Sequence, residues 1–331
     1  DDEDDDDDQE DKMKPRCTLK QLTVQDTQEG VNQGRWRVVG KVNSPNSAME
    51  WTADPDEITY LGYQNMNNSL GIFMEYDFIP CSPLPLSSSL KKLDSHKKHT
   101  GNDIRVIFIG DSVMRMQSNL FASSVKDMDG VQSSYICTSG GINITMSNVT
   151  EGLNAIQVEN PNETRFILFN IGLHEIGQHC NSRQYYQGPN AAQKPAGSCL
   201  AAYAKRLQHL VSYIESVPAE LRVFEITTAA WPKYGNFGFA WPPQIPQAFT
   251  FSPNFVAHLN EVAVNVVSKS KSVTMMDGYW LTLSRPDNRE IGIDNAIGKH
   301  MVHPGREVAD ALVWIWSNII ARQLDKSVNR L

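Results

Sequence analysis

From Ile104 onward the chain alternates between two kinds of segment. Short apolar, β-branched runs are each followed by a longer stretch with apolar residues at helical spacing. Arg105–Ile109, Ser134–Thr138, Arg165–Asn170, Leu221–Ile226 and Val273–Met276 read as strands. Val113–Val125, Gly197–Glu215, Asn254–Ser268 and Arg306–Gln323 read as helices. In the last of these, Val308, Ala311, Leu312, Ile315, Trp316, Ile319 and Ile320 fall on one face. This rhythm leaves few folds open. Parallel strands need long crossovers, and helices then cover both faces of the sheet. The expectation is an α/β domain over residues 101–325, with helices on both sides of a parallel sheet. Ligands of such sheets bind beyond the carboxyl ends of the strands.

The stretch before this domain is different. Residues 1–16 read as an acidic disordered tail, and ten of the chain's 38 acids lie between Asp1 and Asp11. Without them 28 acids face 30 basic residues, so the body is near neutral and nucleic acid is not an expected partner. Residues 17–100 read as a small irregular lobe and linker packed on the main domain. Short strands are expected at Arg35–Val39 and Ile58–Leu61, and the Ser-, Pro- and Lys-rich stretch Ser82–Thr100 has linker composition. Residues 326–331 read as a tail.

No run of 18 apolar residues occurs, so no membrane span is expected within the chain, although an anchor could have been removed upstream. Four sequons, at Asn67, Asn143, Asn148 and Asn162, point to the secretory pathway, in the Golgi lumen or outside the cell. Five cysteines fit an oxidising compartment with two disulfides and one thiol left over. Connectivity cannot be deduced from sequence. Cys17 with Cys81 would tie down the N-terminal segment, and Cys180 with Cys199 would close a loop.

The candidate chemistry clusters at strand ends. In Arg105-Val-Ile-Phe-Ile-Gly-Asp-Ser-Val-Met-Arg115 a strand, a tight turn and a helix place Ser112 at a helix N-terminus. There the hydroxyl is accessible and the backbone N–H is unused by the helix. A serine nucleophile needs both, one to attack and one to receive an oxyanion. A plain N-cap is the competing reading. Ser139-Gly140-Gly141 after the second strand can offer further N–H groups, or is an ordinary turn. Asn170, ending the third strand, can donate an amide N–H to an oxyanion, or cap a turn. His303, just before the last helix, lies where a general base for Ser112 is expected, or is a polar helix-entry residue. The Gly- and Pro-rich loop from Trp231 to Pro242 would present Trp231, Tyr234 and Trp241 to a sugar, or use them to pack itself down. His174-Glu-Ile-Gly-Gln-His179 has one residue too many for a zinc helix. His174, His300 and His303 could instead meet at a metal, but the expectation is no metal and no cofactor.

Together these residues resemble the four blocks of the SGNH hydrolase superfamily, also called GDSL-type. Gly110-Asp-Ser-Val-Met-Arg115, with Gly34-Arg-Trp36, Pro80-Cys81 and Asn170-x-Gly172, resembles its eukaryotic PC-esterase branch. That branch includes the trichome-birefringence-like polysaccharide O-acetyltransferases and the sialate O-acetyltransferase luminal domain. The resemblance covers Cys17 to Gln323, and its specific part is the block around Ser112. It implies a flavodoxin-like three-layer α/β/α domain. Ser112 would be the nucleophile and His303 the base. The N–H of Ser112, that of Gly140 or Gly141, and Asn170 would form the oxyanion hole, while Asp111 braces the turn. Arg115, His174, Trp231, Tyr234 and Trp241 are the expected substrate contacts. One departure stands out: the family's usual acid, three residues before the histidine, is His300 here. Asp294 is the preferred substitute, with Asp277 and Asp287 as others; the further options are a Ser-His dyad, a backbone carbonyl that holds the imidazole tautomer at some loss of rate, or an impaired enzyme. The expected activity is hydrolysis or transfer of acyl (acetyl) esters on a carbohydrate or another O-acylated small or polymeric substrate. The alternative is a catalytically inactive SGNH-fold protein that binds glycans.

Overall fold

The computed structural model describes residues 15–24, 34–41, 63–65, 72–78, 81–138, 142–176, 196–230, 253–285, 290–292 and 303–328. Five parallel strands form the central sheet: β4 (Ile104–Gly110), β5 (Val131–Cys137), β6 (Thr164–Phe169), β7 (Leu221–Ile226) and β8 (Val273–Asp277). Their spatial order is β5-β4-β6-β7-β8. Counted from the first strand, this is the 2-1-3-4-5 order of flavodoxin-like sheets. The protein is an α/β fold.

The strands' composition explains their position. All seven residues of β4 are buried, because helices cover both of its faces. Ile104, Val106 and Phe108 point into one apolar layer, and Ile107 and Ile109 into the other. The first layer is built by α2 (Leu86–Thr100), α3 (Ser112–Val125) and α9 (Arg306–Val328). The second is built by α4 (Ile142–Glu159), α6 (Ala196–Ser216) and α7 (Pro253–Val267). Trp316 of α9, fully buried, is the largest side chain in the first layer.

The linker expected at Ser82–Thr100 is instead a helix. α2 buries Ser89, Leu90, Leu93 and His96 along one side and ends at Gly101, whose φ of 74° is open to glycine. Only two of those four buried residues are large apolar ones, so the Ser and Lys residues on the exposed side mask the helical spacing. Its partner is α9. Leu84 N–H donates to Asn318 Oδ1 (2.7 Å), Trp314 Nε1 donates to Leu84 O (2.7 Å), and Lys92 pairs with Asp325 (2.8 Å). Asn-, Thr- and Gly-rich α4 was not expected as a helix either. Its buried stripe of Val149, Leu153 and Ile156 nonetheless has helical spacing.

The N-terminal segment is fastened to this frame. Cys17 and Cys81, both buried, form a disulfide, and Val24 N–H donates to Met275 O of β8 (2.8 Å). The strand expected at Arg35–Val39 lies within β1 (Gly34–Lys41), which pairs antiparallel with β3 (Ile72–Phe78). β2 (Tyr63–Asn65) pairs with β9 (Glu290–Gly292). The strand expected at Ile58–Leu61 and Cys180 lie outside the described residues. Cys199 is also disulfide-bonded, and Cys137 is a thiol. Among the described residues no helix is long and apolar enough to cross a membrane. The disulfide is consistent with a secreted or lumenal protein.

Candidate active site

The crevice between β4 and β6 is where the strand order reverses, the place where such sheets bind ligands. Two residues expected in the site end these strands. β4 runs into Gly110, where a Cβ would lie 2.3 Å from Met114 Cγ and 3.0 Å from Asn170 O. The lack of a side chain lets the first turn of α3 fold back on the strand. Asp111 follows as the N-cap, its Oδ1 accepting from Val113 N–H at 2.9 Å. Ser112 is therefore the first residue of α3, where its own N–H has no partner in the helix ladder.

His303 reaches this serine from 191 positions away: Ser112 Oγ and His303 Nε2 are 2.6 Å apart. Ser112 is half-buried, and the imidazole is only 8% exposed. The histidine is held by its place immediately ahead of α9, the helix that forms the heart of the first layer. For the ring to take the serine proton, Nε2 must be the unprotonated nitrogen and the ring hydrogen must sit on Nδ1.

The turn below Ser112 and the helix that follows it are braced by two groups. Tyr135 of β5 donates its hydroxyl to Gly110 O (2.9 Å) and Asp111 O (3.0 Å). Burial pushes that phenol well above its ordinary range. Burial also raises the Asp111 carboxyl, while nearby His174 and the backbone N–H groups that it accepts from pull it back down. The second group holds α3: Gln117 donates to Glu225 Oε1 of β7 (3.0 Å) and accepts from Trp316 Nε1 of α9 (2.5 Å). Glu225 is 1% exposed, and burial, with Asp111 adding to it, pushes it up to about 8. Neither Tyr135 nor the Gln117–Glu225–Trp316 chain was picked out from sequence. The one available signal was a glutamate set between Phe224 and Ile226 in a short strand.

Asn170 follows β6 directly, with both amide hydrogens engaged, to Glu225 O (2.6 Å) and to Thr227 Oγ1 (3.1 Å). In this arrangement it ties β6 to β7. The spacing Asn170-x-Gly172 has the same origin, since a Cβ on Gly172 would fall 2.0 Å from Thr227 Oγ1. His174 lies in α5 (Leu173–Glu175), half-buried and close enough to Asp111 to act on its charge. Arg115 opens the α3 ladder with its N–H on Asp111 O (3.0 Å), and its Nε is buried without a hydrogen bond. Asp277, one of the possible substitute acids, caps α8 (Gly278–Leu283) by accepting from Trp280 N–H (3.0 Å). Asp287, Asp294, His300, Gly140, Gly141, Trp231, Tyr234 and Trp241 lie outside the described residues. Among the described residues no group of three or more His, Cys, Asp or Glu is placed to hold a metal ion.

No protein-family profile and no curated protein matches this chain. Among solved structures it is similar to a gut microbial diltiazem-metabolizing enzyme, at 12% identity and a TM-score of 0.41. The match covers 65% of this chain and 46% of the other, so it spans less than half of that protein.

Proposed function

We propose that this protein is a serine-dependent acyl-ester hydrolase or O-acyltransferase of the SGNH type, in its PC-esterase branch, acting on acetylated glycans in a secretory compartment. The supporting observation is the 2.6 Å contact between Ser112 Oγ and His303 Nε2 at the reversal point of the sheet. A hydroxyl at a helix N-terminus beside an imidazole is the minimum that acyl transfer requires.

In this reading His303 removes the Ser112 proton as Oγ attacks the ester carbonyl. The tetrahedral oxyanion forms beside the N–H of Ser112, with Gly140 or Gly141 as the second donor. His303 then protonates the departing sugar oxygen, leaving an acyl group on Ser112. Water or a sugar hydroxyl takes that acyl group in the second half-reaction, with His303 again as base. Asn170 would have to release one of its present partners to join the oxyanion hole, so its first contribution is to hold β6 against β7. Asp294 is the acid proposed to orient His303. Arg115, His174, Trp231, Tyr234 and Trp241 are proposed to line the substrate path.

Ser112→Ala tests the proposal. The variant should fold, with an unchanged thermal midpoint, and lose turnover of a small acetyl ester. Turnover retained without the hydroxyl would refute the assignment. Glycan binding without turnover by the wild type would favour the inactive reading, which the histidine at position 300 motivates.

A further inference from the structure

Of the four sequons, the structure treats two very differently. Asn162 sits in the turn between α4 and β6, and its side chain is exposed. Its neighbours are pinned inward. The Glu163 side chain is only 3% exposed and accepts from Arg105 Nε (2.8 Å) and Arg165 Nε (2.9 Å). Thr164 N–H donates to Asp103 O (2.8 Å) as β6 begins, and an Arg165 guanidinium nitrogen donates to Asn160 O. The turn is therefore fixed on both sides while the amide between them faces solvent. Asn148 is the opposite case. It lies within α4, half-buried, and its Nδ2 donates to Cys137 O of β5 (3.2 Å). A sugar on that nitrogen would have to occupy the seam between helix and sheet.

We propose that Asn162 is an N-glycan acceptor of this protein and that Asn148 is not. The donor is an oligosaccharide carried on a polyprenyl diphosphate. Asn162 Nδ2 forms the new bond to the anomeric carbon and gives up one amide proton. The bond from that carbon to the diphosphate oxygen breaks, and the lipid diphosphate leaves. Asn67 lies outside the described residues, as does the side chain of Asn143.

The position has a consequence for the molecule. Thr164 pairs in register with Ile104, at the amino end of β4. Ser112 lies beyond the carboxyl end of that strand, about 20 Å away at roughly 3.3 Å per residue. A glycan on Asn162 therefore clothes the edge of the sheet opposite the candidate site, and leaves the crevice between β4 and β6 open.

Peptide mapping tests this on the unaltered full chain, secreted from eukaryotic cells behind a cleavable signal peptide. Release of N-glycans by an amidase in heavy-oxygen water converts each occupied asparagine to a labelled aspartate. The expected result is label at Asn162 in most molecules and none at Asn148. Asn162→Gln should also remove one glycan-sized step in gel mobility. An unlabelled Asn162, or a labelled Asn148 in folded protein, would overturn the proposal. The outcome does not depend on whether Ser112 is a nucleophile.

Discussion

Replacing Glu225 with glutamine should make the protein more stable at alkaline pH. Glu225 lies near the end of β7, with one carboxyl oxygen on Gln117 of α3 and the other buried without a hydrogen bond. Burial raises it from 4.5 to about 8. Between these values the folded chain holds a proton that the unfolded chain has released. A raised carboxyl contributes its full stability below the unfolded value and loses it as pH rises through the folded one. One pKa unit corresponds to about 1.4 kcal/mol, so wild-type stability should fall by on the order of 4 kcal/mol between about pH 5 and about pH 8 from this group alone. Glu225→Gln keeps the volume and the acceptor for Gln117 but cannot titrate. Asp277, also raised by burial, is common to both proteins and cancels in the difference, whereas Asp111 acts on Glu225 and its contribution cancels only in part. Urea unfolding at a series of pH values gives the free energies directly. The two proteins should be similar near pH 5 and diverge steadily to pH 8, the variant being the more stable. Parallel curves across that range would refute the reasoning.

Gly110→Ala should destabilise the fold by about 1–3 kcal/mol, because its methyl group would overlap Met114 and crowd Asn170. Thermal unfolding measures this, and turnover of an acetyl ester should fall with it as the Ser112 turn is displaced. Removing the Cys17–Cys81 disulfide by double serine substitution releases a constraint between cysteines separated by 64 positions. Loop-closure entropy puts the loss at about 4 kcal/mol, read as a lower denaturation midpoint that reducing agent does not lower further at this bond.

The sheet was legible because its inner strands β4, β6 and β7 are buried on both faces. Runs such as Val106–Ile109 are continuously apolar, and a short apolar run bounded by glycine has few other readings. The helices α3, α6, α7 and α9 were legible for a related reason: each has one broad apolar face. α2 and α4 were not, because their faces are narrow and their exposed residues are serine, lysine, asparagine and threonine, which also suit loops. At the site, Ser112 and His303 could be paired in advance from their places at a strand end and a helix entry together with a resemblance, since no local pattern links residues 191 positions apart. Tyr135 and Gln117 left no trace in the sequence, and Glu225 only that of a charge within a strand. Each acts through a hydrogen bond across strands or layers, and such partners follow from register rather than from sequence spacing.

The central claim is that the Ser112 hydroxyl is activated by the His303 imidazole, and active-serine labelling tests it most directly. A fluorophosphonate probe should modify the folded protein at Ser112, located by peptide mass spectrometry, and His303→Ala should slow that labelling at least tenfold. Failure of the wild type to label, or labelling at an undiminished rate without the imidazole, would contradict it.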